Sequence, residues 1–351
     1  MKFKHLLFSL LLFVGFGASA QDIHFSQFYL SPLNLNPAMT GVMNCNIRLV
    51  GNYRNQWASV LKDNAYSTYS FSYDQKIPVG RYDYFGIGGT FWGDRAGEAD
   101  FATVTGKLSA SYAKRMAGSR KEAHYLVFGA EAGVAQRSID FLKLRWGTQH
   151  DGEGGFCATC PSFEDSNFDQ DNFLFADMAA GLMWFSVFDE SNSLYVGGAF
   201  HHLNRANQSF NSENKDFIYS RFTFHAGGEF EVTKRVGLLP GVIVMKQGPS
   251  FQVNSGTSLR FVLGSGSRVN NYQAFQFGTW VRVSNKVETG ILTDAVILST
   301  RFDYNQFSLG FSYDVNVSAL KPASSNNGAF EFALVYKFCN NERRGVYCPR
   351  F

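Results

Sequence analysis

Proline is scarce in this chain, at 8 of 351 residues, and no stretch after Phe16 approaches the roughly 20 continuous apolar residues a membrane-spanning helix needs. A helical membrane protein is thereby excluded. Charge of either sign is also in short supply: the formal net charge is +3, and no block of Lys or Arg forms a basic patch. A chain so close to neutral has no electrostatic reason to seek nucleic acid. Cysteine is limited to five residues, with no second ligand pair near Cys157 and Cys160 to complete a zinc site.

The first residues carry an address. Lys2, Lys4 and His5 form a basic start, Leu6 to Phe16 is an apolar run broken only by Ser9 and Gly15, and Ala18-Ser19-Ala20 supplies the small-x-small pattern of a signal-peptidase site. The expected cut lies before Gln21, and no cysteine follows it as a lipoprotein would require. Loss of Lys2 and Lys4 takes the net charge from +3 to +1. Export to the outer membrane is the expected localisation.

Aromatic residues and glycine are abundant, with 36 Phe, 16 Tyr and 34 Gly, while the mean hydropathy is only −0.15. That combination suits strands with one apolar face each. Alternation decides what kind. In 305–315, Phe307, Leu309, Phe311, Tyr313 and Val315 oppose Gln306, Ser308, Gly310, Ser312 and Asp314. Tyr69, Phe71 and Tyr73 oppose Ser70, Ser72 and Asp74, and Phe330, Phe332, Leu334, Tyr336 and Phe338 form a similar face. A period of two places each set on its own side of a sheet. The polar sets are Gly, Ser, Thr and Gln with single charges, which fits a barrel lumen better than the Lys- and Glu-rich surface of a soluble sandwich. The expected fold is all-β: a transmembrane antiparallel outer-membrane β-barrel of about 14 strands.

Candidate strands run over 47–54, 66–76, 83–92, 100–115, 122–137, 173–186, 193–203, 220–231, 236–246, 251–264, 273–283, 294–303, 305–315 and 328–338. With periplasmic termini, the long connections 138–172 and 204–219 face outward, and short links such as 77–82, 116–121 and 232–235 are periplasmic turns. The organisation is then a signal peptide (1–20), a periplasmic lead-in that plugs or brackets the lumen (21–46), one barrel (47–338) and a tail (339–351).

Few residues suggest chemistry. Cys339 and Cys348 flank a short tail loop and are the expected disulfide; Cys157 and Cys160 read as a local disulfide or free thiols, and Cys45 as an inert leftover thiol. The stretch Asp165 to Asp171 begins like a calcium loop, but Gln170 stands where Gly is needed and Ala176 where the bidentate Glu belongs, so it reads as a solvated acidic loop. His201 and His202 are adjacent, and in a strand they would face opposite sides. No motif places a serine beside them for lipid hydrolysis. Neither enzyme activity, metal nor cofactor is expected.

Several blocks carry a resemblance. Asp22-Ile-His-Phe-Ser-Gln-Phe-Tyr-Leu-Ser-Pro-Leu-Asn-Leu-Asn-Pro-Ala38 with Gly41, Tyr53-Arg-Asn-Gln-Trp57, Gly133-Val-Ala-Gln-Arg-Ser-Ile-Asp140, His202-Leu-Asn-Arg-Ala-Asn-Gln-Ser-Phe210, Gly310-Phe-Ser-Tyr-Asp-Val-Asn-Val-Ser-Ala-Leu320 and Glu331-Phe-Ala-Leu-Val-Tyr336 resemble the PorP/SprF family in order and spacing. The resemblance covers nearly the whole chain after residue 21. It implies a non-enzymatic outer-membrane component of the type IX secretion system of Bacteroidota, including gliding bacteria. Its implied partners are the periplasmic ring proteins and a peptidoglycan-binding lipoprotein for PorP-like members, and a secreted surface adhesin with a C-terminal secretion domain for SprF-like members. The family offers no catalytic residues to carry over. Phe25, Phe28, Tyr29 and Pro37, aromatics beside a proline, are the expected partner-binding residues on the periplasmic face. The competing reading is a diffusion channel or hydrophobic-substrate transporter.

Overall fold

The computed structural model describes residues 22–119, 122–152, 155–157, 160, 162, 168–189, 191–264, 272–285, 290–318, 321–339 and 348–349. The expected signal peptide and its cut before Gln21, and Asp165 and Asn167 of the acidic stretch, lie outside these residues. Among the described residues, fourteen antiparallel strands close into one barrel in sequence order. They are β1 (Ile47–Gln56), β2 (Tyr66–Val79), β3 (Asp83–Ala96), β4 (Phe101–Ala117), β5 (Ala123–Ser138), β6 (Asn172–Val187) and β7 (Ser193–His201). The remaining seven are β8 (Arg221–Thr233), β9 (Val236–Gln247), β10 (Ser250–Val262), β11 (Gln273–Asn285), β12 (Ile291–Tyr304), β13 (Phe307–Asn316) and β14 (Asn327–Phe338). Each lies within a few residues of its sequence expectation.

Alternation sets the two surfaces. On β2, Tyr69 and Phe71 point outward at 45% and 52% exposure, while Ser70, Ser72 and Asp74 are buried in the lumen. Outward Phe and Leu residues recur around the wall, including Phe277, Phe302 and Phe332, forming the apolar belt that lipid requires. Backbone polar groups are paired by the closed ladder, so no open sheet edge faces hydrocarbon along the closed seam. The two long connections, 139–171 and 202–220, leave one end of the barrel; short turns such as 80–82 and 234–235 occupy the other.

Closure also corrects the cysteine expectation. β1 pairs with β14 from Ile47↔Phe338 upward, which places the residues just outside both strands side by side at the short-turn end. Cys45 is therefore bonded to Cys339, with Cα atoms 4.3 Å apart, and the expected Cys339–Cys348 pair is not formed. Cys348 is a buried free thiol. Cys157 and Cys160 form a local disulfide in the long connection.

Candidate functional site

The lumen is filled by the chain's own lead-in. Residues 22–46 lie inside the barrel rather than below it, running from the long-loop end at Asp22 to the short-turn end at Asn46. Asp22 N–H donates to Gln247, the last residue of β9, while Asn46 continues the ladder onto Phe338. Prolines punctuate this path: Pro32 and Pro37 each open a single helical turn, Pro32–Leu35 and Pro37–Met39. Asn36 caps the second turn by accepting from Ala38 N–H at 2.8 Å, and its amide donates to the Leu182 and Gly198 carbonyls of the wall. Buried backbone that belongs to no ladder must find other partners, and here the wall supplies them.

Three polar clusters hold the plug. Toward the loop end, Asp22 meets His202 at 2.5 Å and Arg221 at 3.1 Å; His202 also contacts Asp177 at 2.8 Å, and Lys107 bridges Asp177 and Glu131. On the wall formed by β1, β11, β13 and β14, Glu331 accepts the Ser26 and Gln27 N–H groups at 2.5 and 2.9 Å and is ion-paired with Arg54. Asp314 accepts from the Ser26 hydroxyl at 2.9 Å and pairs with both Arg54 and Arg282. At the turn end, Asp74 accepts the Gly41 N–H at 2.7 Å and pairs with Arg48, which also donates to the Met39 carbonyl. Apart from the partly buried Asp22, each such charge is buried, so removing one partner leaves an uncompensated charge in the interior.

Apolar contacts complete the fit. Phe28 packs edge-on and Tyr29 stacks against Trp280, both with ring centroids 5.4 Å apart. Gly129 faces the Pro37–Ala38 backbone and Gly86 the Thr40 carbonyl so closely that neither leaves room for a Cβ. Three cavities around the plug, among the described residues, are about 20 Å³ or smaller, room for little more than a water. At the turn end, Cys348 is packed beside Tyr84, with the Cys348 N–H donating to Asn44.

These positions revise two expectations. Phe25, Phe28 and Pro37 are buried and Tyr29 is half-buried, so they pack against the lumen wall and offer no periplasmic docking surface. The aromatic and proline pattern marks a plug core, because the wall provides Trp280 and close-approaching glycines to receive it. His201 and His202 do not face opposite sides either; both are buried. β7 stops at His201, and His202 adopts a left-handed φ of 56°, which breaks the alternation and turns its ring toward Asp22. Burial works against a charge on His202, but the Asp22 and Asp177 carboxylates outweigh it and hold its pKa up at about 9. Burial likewise disfavours the Asp22 carboxylate, yet His202 and Arg221 keep its pKa far below the usual range.

The wall residues that hold the plug were not singled out from sequence. Their signal is a lone charge on the polar face of an aromatic-rich strand: Arg54, Arg282, Asp314, Glu331. Three sit in the blocks quoted above, and all four converge on Ser26 of another block, directly or through Glu331 at the Ser26 N–H.

The family model for "Type IX secretion system membrane protein PorP/SprF" matches residues 17–336. The chain belongs to the PorP/SprF family. This PorP/SprF protein is thus an outer-membrane β-barrel of a type IX secretion family. Among solved structures it is similar to the CymD monoaromatic hydrocarbon channel, at 11% identity and a TM-score of 0.46, covering 93% of this chain and 96% of that one. It is also similar to CdiB from Escherichia coli, at 10% identity and a TM-score of 0.45, covering 83% of this chain. The toluene transporter TbuX of Ralstonia pickettii gives 9% identity and a TM-score of 0.41, covering 87% of this chain and 93% of that one. The PorP/SprF chain spans only 63% of CdiB. No curated protein matches it.

Proposed function

We propose that this PorP/SprF protein is a non-enzymatic component of the type IX secretion system that supports export or surface attachment of secreted proteins through its two ends, not through its lumen. The family match over residues 17–336 carries the reading. The plug supports it, since Ala38, Met39, Thr40 and Val42 are fully buried within the barrel and stand in the way of a passing polypeptide. With the aromatic plug residues buried, contact with periplasmic ring proteins and a peptidoglycan-binding lipoprotein falls to the short turns and to the segment around Asn44, Cys45 and Cys339. Contact with a secreted adhesin falls to connections 139–171 and 202–220. The chain reaches the outer membrane by a signal peptide cut before Gln21, which amino-terminal sequencing of the purified protein checks.

Purification of the tagged protein from its native outer membrane in mild detergent, with gentle crosslinking and mass spectrometry, tests the role. Secretion-ring proteins or a large surface adhesin are the expected companions. A clean barrel at native expression would shift the assignment to a hydrophobic-substrate transporter, which would have to move the plug.

A further inference from the structure

The plug is not held equally along its length. From Asn36 to Cys45 it is fixed by the Asn36 amide, the Asp74–Arg48 pair, the close approach of Gly86 and Gly129, and the Cys45–Cys339 bond. Ala38, Met39, Thr40 and Val42 have no exposed surface at all. Residues 22–25 are different. Asp22, Ile23 and His24 are only partly buried, and the three cavities described around the plug are all lined by one or more of them.

Their polar ties are also few. Asp22 binds His202, Arg221 and Gln247, and Arg221 donates to the Ile23 carbonyl at 3.2 Å. The next anchors are Ser26 and Gln27, whose N–H groups donate to Glu331 on a different part of the wall.

We infer that residues 22–25 form a strap that the Asp22–His202 contact latches, and that the strap opens the loop-end part of the lumen while Ser26 onward stays in place. The groups facing the latch are Asp22 from the plug, Asp177 from β6, Lys107 from β4, Glu131 from β5, His201 from β7 and Arg221 from β8. With His202 protonated, three cations (Lys107, His202, Arg221) balance three carboxylates (Asp22, Glu131, Asp177). Loss of the His202 charge leaves the cluster with an excess negative charge on the strap's side. Opening makes a vestibule and no pore, because residues 36–46 still block the turn end. The inference concerns the lumen alone and does not depend on the export role.

Thiol labelling of the full-length protein in vesicles tests this. Ile23→Cys and, separately, Ser31→Cys are placed in a Cys348→Ser background and reacted with a membrane-impermeant maleimide. His202→Gln and Asp22→Asn, each alone, should speed labelling at position 23 by about tenfold or more, as expected when a buried ionic contact is removed. Position 31, buried and beyond the Ser26 and Gln27 anchors, should stay unreactive, and bilayer conductance should stay silent. Using two latch variants guards against one that fails to fold. Unchanged labelling at position 23 in the folded variants overturns the latch. Equal labelling at positions 23 and 31, or the appearance of conductance, overturns the strap by showing that the whole plug moves.

Discussion

Glu331 shows how a single side chain can organise a lumen. Its two oxygens take two consecutive backbone N–H groups of the plug, and Arg54 neutralises its charge from the neighbouring strand. Glu331→Ala leaves Arg54 facing Asp314 alone and two plug N–H groups unpaired, so it should destabilise the folded barrel by about 3–5 kcal/mol. Urea titration of heat-modifiable migration would measure it. Replacing Glu331 with Gln removes the charge but keeps an acceptor, and should cost less. At the start of the plug, the Asp22–His202 pair ties stability to pH. A His202 pKa of about 9, above the ordinary histidine value of about 6.5, gives stabilisation that is complete below about pH 6.5 and lost as pH rises through 9. The depressed Asp22 pKa gives stabilisation that is present above about pH 4 and lost only in strong acid. Melting temperature measured across pH should therefore fall on the alkaline side, and His202→Gln should abolish that fall. None of these partners was legible in sequence. A charge on a strand's lumen face is visible there, but which plug atom it meets depends on threading that no local pattern encodes.

At the scale of elements, the strands were legible in detail and the lead-in only in outline. Alternation over ten or more residues, as in Phe307 to Val315, fixes both the strand and its lipid-facing side, because a one-residue slip would put every aromatic ring into the lumen. The lead-in has no such period; its prolines and asparagines signal broken ladder and helix, hence a segment that plugs or brackets the lumen, but not its path or its wall partners. The cysteine pairing failed for a related reason: proximity in sequence favoured Cys348 for Cys339, while barrel closure brought Cys45 from 294 residues away. Peptide mapping without reduction should recover the Cys45–Cys339 crosslink, and a Cys339–Cys348 peptide would contradict this fold. Removing the bond with Cys45→Ser and Cys339→Ser should lower stability by about 2–5 kcal/mol. Gly129→Ala sets a methyl group against the plug backbone at Ala38 and should cost about 1–3 kcal/mol, read by the same urea titration.

The whole molecule is a barrel closed around part of itself. Fourteen strands enclose a width that could hold a ligand path or a channel, and here the space is taken by residues 22–46. What remains available to partners is the two rims, which differ in character: long connections at one end, short turns and the Cys45–Cys339 staple at the other. Such a body suits a fixed station in the membrane better than a passage across it. Planar-bilayer recording of the purified protein, beside a variant lacking residues 22–43 that still migrates as a folded barrel, addresses this most directly. The plugged protein should be electrically silent and the deletion should conduct. Steady conductance from the intact protein would contradict the sealed lumen and, with it, the assignment of function to the rims.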